Sequence, residues 1–385
     1  MALKVASRAT VPPFIVMDVM RAANAREMAG KDVLHLEVGQ PGSGAPAAVR
    51  EAARRALDEQ RLGYTDALGL PALRQAIAKH YQDDYGQAVD AERVVVTTGS
   101  SGAFVLSFLS CFDAGDRVAQ AAPGYPAYRN ILSALGVEAV DIPVGPDSHF
   151  QPTPALLDQV DNLDGLILAS PGNPTGSMID RDRFAELVAY CAERDIRLIS
   201  DEIYHGITYE QRAETVLAFT DDALVINSFS KYFAMTGWRL GWMVMPSDML
   251  RAVECLAQNL FISPPALSQY AGIHAFDAQE ELQANVARYA RNRQVLLDGL
   301  PKAGFTQLAP SDGAFYVYAD ISALTDDSPA FCRRMLDETG VAATPGTDFD
   351  PARGHRFIRF SYAGTTEDMT AAMAALARVG SNGIR

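Results

Sequence analysis

Asn227-Ser228-Phe229-Ser230-Lys231-Tyr232-Phe233-Ala234-Met235-Thr236-Gly237-Trp238-Arg239-Leu240-Gly241-Trp242 follows one apolar run, 223–226, and leads into another, 240–245. Short apolar runs bounded by turn residues read as buried strands. A lysine in the aromatic and apolar segment between them is open to desolvation. That lowers its pKa and frees a neutral amine for Schiff-base chemistry. Ser228, Ser230 and Arg239 are donors suited to a phosphate, and Gly237 and Gly241 let backbone approach closely. The segment points to an imine-forming lysine beside a phosphate-bearing cofactor. Taken alone, it also fits a surface lysine next to a strand.

Outward from this segment, strands and helices alternate. The run 94–97 reads as a strand, 99–102 as a small-residue turn and 103–112 as a helix. A short strand, 117–120, leads into Gly124-Tyr125-Pro126, and 165–169 leads into Ser170-Pro171-Gly172-Asn173-Pro174-Thr175-Gly176. A helix over 180–194 precedes the strand 197–200, which ends on Asp201-Glu202-Ile203-Tyr204. Strand, turn, helix and strand again is the pattern of an α/β fold with a mainly parallel sheet flanked by helices. Such sheets bind ligands beyond the carboxyl ends of their strands. Ser100, Ser101, Tyr125, Asn173, Asp201, Ser228 and Lys231 all fall there.

The flanks differ. A helix is expected over 14–31, with Val16, Val19, Met20 and Ala23 on one face, then a strand over 33–38 and a helix over 46–60. After residue 275 come a long charged helix (280–300), strands over 314–319 and 356–362, and helices over 329–339 and 366–379. This predicts a large domain over 46–274 and a smaller α+β domain built from 1–45 and 275–385.

Individual residues suggest roles. Ser100 and Ser101 at a helix start offer an anion site, although a plain N-cap fits them too. Neither Gly-x-Gly-x-x-Gly nor Gly-Lys-Ser/Thr occurs, so nucleotide-binding readings lack their motif. A carboxylate such as Asp201 against a pyridine nitrogen keeps that nitrogen protonated and the ring an electron sink. Asn173 and Tyr204 can both bond a ring hydroxyl. Asp201-Glu202 also fits a metal pair, but no histidines cluster beside it, and His205 reads as structural or solvent-facing. Tyr125 either stacks on a planar ring or packs as a loop aromatic. The strand period places Arg356 and Arg359 on opposite faces, so one of them can enter a cleft and grip a carboxylate.

With these residues in place the chain resembles the class I/II pyridoxal-phosphate-dependent aminotransferases, of the aspartate aminotransferase-like fold type I. The match lies in Ser228-x-Ser230-Lys231-x-x-Ala234-Met235-x-Gly237-x-Arg239-Leu240-Gly241, in Asn173-Pro174-Thr175-Gly176, in Asp201-Glu202-Ile203-Tyr204 and in Arg359-Phe360-Ser361-Tyr362. Order and spacing agree from about residue 14 to about 375. The resemblance implies a Lys231 aldimine with pyridoxal 5′-phosphate, and Lys231 as the base and acid of the proton shift. It implies Asp201 at the pyridine nitrogen, Asn173 and Tyr204 at the ring oxygen, and Tyr125 stacked on the ring. Ser100, Ser101, Ser228, Ser230 and Arg239 would hold the phosphate. Tyr64 would reach the phosphate of a neighbouring subunit, which implies a homodimer. Arg359, with the Gly39 backbone and Asn173, would fix the α-carboxylate of an amino acid or 2-oxo acid. Two features depart from the pattern: Asp350 stands where many relatives carry glycine, and no second arginine is placed for a side-chain carboxylate.

Bulk properties narrow the classes. The 385 residues are 48% hydrophobic and 21% charged, with a net charge of −14. That charge argues against a nucleic-acid partner. No apolar run approaches bilayer length, and no secretory signal follows the basic residues of 1–10, so a cytoplasmic enzyme is expected. Cys111, Cys191, Cys255 and Cys332 lack metal-type spacing and read as reduced packing residues. Transamination is the leading reading. A carbon–sulfur β-lyase or cyclopropane-forming synthase, and a non-catalytic effector module, are the alternatives.

Overall fold

The computed structural model describes residues 3–380; the extreme ends of the ranges 1–45 and 275–385 lie outside it. Its strands in chain order are β1 (Leu34–His35), β2 (Val94–Thr97), β3 (Arg117–Ala122), β4 (Glu138–Pro143), β5 (Gly165–Ala169), β6 (Arg197–Asp201), β7 (Leu224–Ser228), β8 (Gly241–Val244), β9 (Gln307–Leu308), β10 (Tyr316–Asp320), β11 (Val341–Ala342), β12 (Thr344–Pro345) and β13 (Phe357–Ser361).

Seven of these form one sheet in the order β2-β8-β7-β6-β5-β3-β4. Every neighbouring pair is parallel except those made by β8, which runs against both β2 and β7. A sheet covered by helices on both faces buries both sides of its strands, hence the unbroken apolar runs Val94-Val95-Val96 and Leu224-Val225-Ile226, all buried. The carboxyl ends of β2, β3, β5, β6 and β7 gather along one edge.

A second sheet, β12-β13-β10-β9, is antiparallel and carries Arg359 between Thr344 and Tyr318 in register. Beside it, β1 pairs with β11 in parallel. The expected strand over 33–38 is cut to two residues because its later backbone groups are taken elsewhere. The Leu36 carbonyl accepts Ser361 N–H at 2.7 Å, and the Glu37 carbonyl accepts both Arg359 and Thr344 side chains.

Two further expectations shift. The residues 99–102 are not a turn before a helix but its first turn, since the helix runs Gly99–Cys111. Strand β4, absent from the sequence reading, forms the sheet edge beside β3. The helices Ile15–Met28, Arg181–Glu193, Gln279–Gly299 and Ser328–Thr339 fall where periodicity places them. All four cysteines are free and lie in helices. Trp242 is fully buried, with its indole N–H donated to Tyr81 Oη at 3.1 Å and its ring 4.9 Å from that of Phe229. It is a packing residue.

Candidate active site

A cavity of about 510 Å³ opens where the parallel strands end, closed from the other side by β10, β13 and the N-terminal helix. Lys231 enters it three residues beyond β7. Burial brings its ammonium down to about 8, and Arg359 and Arg239 add to this, while Asp201 opposes it. Its Nζ donates to the Gly39 carbonyl oxygen at 2.5 Å. Gly39 must be glycine, because a Cβ there would meet the Tyr316 hydroxyl at 1.8 Å.

Asp201, the last residue of β6, forms the deep end. Its carboxylate accepts the Ile203 N–H at 3.1 Å and the Tyr128 hydroxyl. Burial nevertheless pushes it up to about 6. Among the described residues no cation lies within ion-pair distance of it. Tyr125 and Tyr128 meet edge to face at 5.2 Å, and burial raises the Tyr125 phenol to about 12. Tyr204 Oη lies 2.7 Å from Tyr316 Oη, and burial raises its pKa well above the ordinary tyrosine value.

Another end of the cavity is built around Arg359, buried and sandwiched between Tyr316 and Phe349, whose ring centroids lie 4.4 and 4.7 Å from its Cζ. Its Nη1 donates to Asn173 Oδ1 at 2.8 Å and its Nη2 to the Glu37 carbonyl at 2.5 Å, while Nε is buried without a partner. Arg356 is exposed, but it lies in the short 3-10 turn Gly354–Arg356 just before β13 rather than in the strand, so the strand period does not place it.

At the opposite end the helix Gly99–Cys111 begins with Ser100 and Ser101 on the cavity wall and no side-chain cap on its first amides. Gly99 has φ +72, and a Cβ there would lie 2.6 Å from Arg239 Nη2, so the guanidinium rests over this helix start. Arg239 itself takes φ 54 and bonds the Thr236 carbonyl at 3.0 Å. Ser230 lines the cavity, but Ser228 does not. Its Oγ sits behind, 2.9 Å from Ser230 Oγ and accepting the Ser230 N–H at 3.1 Å.

Tyr64 stands apart, 84% exposed on a loop tied to Ser263 through the Thr65 N–H. Glu202 points away from Asp201. Its Oε1 accepts the Val216 N–H at 2.9 Å and the Thr215 hydroxyl at 3.0 Å, which removes the metal-pair alternative. Among the described residues no three His, Cys, Asp or Glu side chains gather as a metal site. His205 is buried and bonded to Tyr85 and the Ser170 carbonyl, so it is structural and not solvent-facing. Asp350 supplies the turn in place of glycine, accepting the Ala352 and Arg353 N–H groups at 3.0 and 2.9 Å.

Sequence reasoning missed Tyr128, Tyr316 and the wall formed by Phe14, Val16 and Met17. Tyr128 carried one signal, its position one helical turn after Tyr125.

This arrangement has known counterparts. The family model for aminotransferase class I and II matches residues 31–376. The chain belongs to that family. This aminotransferase is 54% identical to the valine–pyruvate aminotransferase of Mycobacterium tuberculosis, over 98% of both chains. It is 35% identical to the aspartate/prephenate aminotransferase of Thermus thermophilus, over 91% of both. A crystal structure of an aminotransferase from Mycobacterium tuberculosis superposes with a TM-score of 0.96 at 53% identity, covering 99% of each chain. These relatives do not favour the lyase alternative.

The aminotransferase is pyridoxal-phosphate-dependent, as its family is, and its residues fit that group. A helix start with free amides, hydroxyls and an arginine suits a phosphate. A buried carboxyl with no cation beside it suits a protonated ring nitrogen. The amine of Lys231, brought down toward neutrality, suits a carbonyl carbon.

Proposed function

We propose that this aminotransferase takes the amino group of an aliphatic amino acid, with valine as the model donor, and passes it to pyruvate. The observation that carries the reading is the division of the cavity. Arg239 rests over the start of the helix Gly99–Cys111 and Arg359 is held by Asn173, and Phe14, Val16, Met17 and Val38 give the cavity an apolar wall. Among the described residues no further arginine lines the cavity to meet a side-chain carboxylate, whereas a branched aliphatic chain would bury apolar area at about 25 cal/mol per Å². The name of the 54%-identical Mycobacterium tuberculosis relative supports the same choice.

Arg359 grips the α-carboxylate, with Asn173 holding the guanidinium in plane. Bound cofactor supplies an electron sink for the pair left when the Cα–H bond breaks. Lys231 Nζ removes and returns that proton, and an amine brought down to about 8 can do both near neutral pH. Asp201 keeps the ring nitrogen protonated, with Tyr128 orienting it. Asn173 and Tyr204 would hold the ring oxygen and Tyr125 would cover the ring, while the Gly39 carbonyl steadies the Lys231 amine. Ser100, Ser101, Ser230 and Arg239 hold the phosphate, while Ser228 orients Ser230.

Residues 46–274 form the cofactor-binding domain in this reading, with 1–45 and 275–385 as the smaller one. The exposure of Tyr64 fits a homodimer in which it reaches the partner's phosphate site. No helix among the described residues is long and apolar enough to cross a membrane.

The test is kcat/KM with pyruvate for valine, alanine, phenylalanine and aspartate as donors. Valine should exceed aspartate by about a hundredfold or more, the order expected for a buried uncompensated charge. Aspartate equal to or better than valine would overturn the reading.

A further inference from the structure

The helix Ile15–Met28 starts without a cap of its own. Its N-cap position is Phe14, which has no acceptor side chain, and Pro12 and Pro13 precede it. The missing acceptor comes from the other end of the chain. Asp348 Oδ1 accepts the Ile15 N–H and Oδ2 the Val16 N–H, both at 3.1 Å. Asp348 is only 2% exposed, and its charge sits at the positive end of the helix dipole. One buried carboxylate thus replaces an N-cap from more than three hundred residues away.

What this helix start carries gives the bond its consequence. Phe14, Val16 and Met17 are the N-terminal part of the cavity wall. The loop that holds Asp348 also holds Phe349, which stacks on Arg359. That loop is fixed independently of the Asp348 side chain. Arg129 donates to the Asp348 carbonyl, and the Phe349 carbonyl accepts the Gly124 N–H at 3.0 Å. The Asp348 carboxylate therefore links the apolar wall of the cavity to the loop whose Phe349 packs on Arg359.

We propose that Asp348 is a positioning residue for substrate selection: by capping the N-terminal helix it sets the distance between the apolar wall and Arg359, and so the preference for a branched aliphatic side chain. The proposal rests on the aliphatic-donor reading above. Alanine, whose methyl group is too short to fill the space against the wall, should feel the clamp little. Valine should depend on it.

The experiment compares holoenzyme and its Asp348→Ala variant with valine and alanine as donors and pyruvate or 2-oxobutyrate as acceptor. The valine-to-alanine ratio of kcat/KM should fall tenfold or more, mostly through KM for valine, with alanine changed less than threefold. Met17→Ala should lower the same ratio, and the double variant should lose less than the product of the single losses. Should Asp348→Ala fail to fold, Asp348→Asn keeps the volume and one acceptor and should give a smaller loss of the same kind. A ratio within twofold of the parent, or a parallel fall for both donors, overturns the proposal. Amide exchange at Ile15 and Val16, expected to quicken in Asp348→Ala, reads the clamp itself even if the parent enzyme prefers another donor. That last result would strike the functional reading instead.

Discussion

Lys231 Nζ reaches across from the end of β7 to the Gly39 carbonyl oxygen, 2.5 Å away and 192 residues earlier in the chain. This bond ties the Lys231 amine to the loop whose Glu37 carbonyl also holds Arg359. Burial and two nearby guanidinium groups make the charged form of this lysine unfavourable, bringing it from 10.5 to about 8.

A reactive lysine so placed weakens the fold that holds it. Because its folded pKa is lowered, the unfolded chain binds the proton more readily, so stability rises as pH climbs from about 8 to 10.5. At pH 7 the cost has an upper bound of roughly 3 kcal/mol, offset by about 1–2 kcal/mol from the bond to Gly39. Lys231→Met should therefore abolish turnover yet raise the Tm of the cofactor-free protein at pH 7. The gain should shrink toward pH 10.5. A lower Tm at pH 7 would show that the lysine is not desolvated as described.

Asp201 moves the other way. Burial raises its carboxyl to about 6, and the Tyr128 hydroxyl and Ile203 amide hold it from rising further. Its grip on a protonated ring nitrogen should fade as pH falls through that value, because the acid then carries a proton of its own. Tyr128→Phe removes one stabilising donor, worth about 1–2 kcal/mol, which corresponds to a rise of about one pH unit. Titrating cofactor into cofactor-free protein between pH 5 and 8 should show the acid limb of affinity displaced upward in the variant. An unmoved limb would remove Tyr128 from the argument.

The sequence made the parallel strands legible because each is buried on both faces and so reads as an unbroken apolar run, as Val94-Val95-Val96 and Leu224-Val225-Ile226 do. Strand β4 escaped because it sits at the sheet edge, where Glu138 and Asp141 interrupt the apolar signal. The direction of β8 was not legible either. The segment 229–240 turns the chain back without a crossover helix, so β8 pairs antiparallel with β7. In the site, residues just beyond strand ends could be read, since their place follows from the strand alone. Tyr128 and Tyr316 could not, because contact with Asp201 and Arg359 depends on how distant elements cross. Phe14, Val16 and Met17 fall within the helix expected over 14–31, but of the three only Val16 belongs to its expected apolar face, with Val19, Met20 and Ala23. Nothing local indicates that Asp348 caps that helix.

Arg359 offers a sharper test of chemistry than of charge. Its planar fork is held by Asn173 and the Glu37 carbonyl and stacked between two aromatic rings, which leaves Nε buried and unpartnered. Arg359→Lys keeps the charge but loses the fork and the stacking. Charge-assisted hydrogen bonds contribute about 1.5–3 kcal/mol each, so kcat/KM should fall by about 10²-fold or more for donor and oxo acid alike. The cofactor spectrum should be unchanged, because Arg359 stands at the substrate end. A variant with unaltered KM for both substrates would displace Arg359 from that role.

Gly99 sets the geometry of the phosphate end. Its φ of +72 lies in the left-handed region, where a side chain costs about 1–2 kcal/mol. Its missing Cβ also leaves the space into which Arg239 Nη2 packs, at 2.6 Å from where that atom would stand. Gly99→Ala should therefore do two things. It should lower stability by about 1–2 kcal/mol through the backbone, and it should push the guanidinium off the helix start, weakening cofactor binding by about tenfold or more, as loss of one charge-assisted contact does. Gly237→Ala is the comparison: Gly237 lies two residues before Arg239 without a positive φ, and a Cβ there meets nothing within 4 Å. Cofactor affinity measured on both cofactor-free variants separates the effects. If Gly99→Ala binds cofactor as tightly as Gly237→Ala, Arg239 does not depend on this space, and the phosphate grip lies in the hydroxyls and helix amides alone.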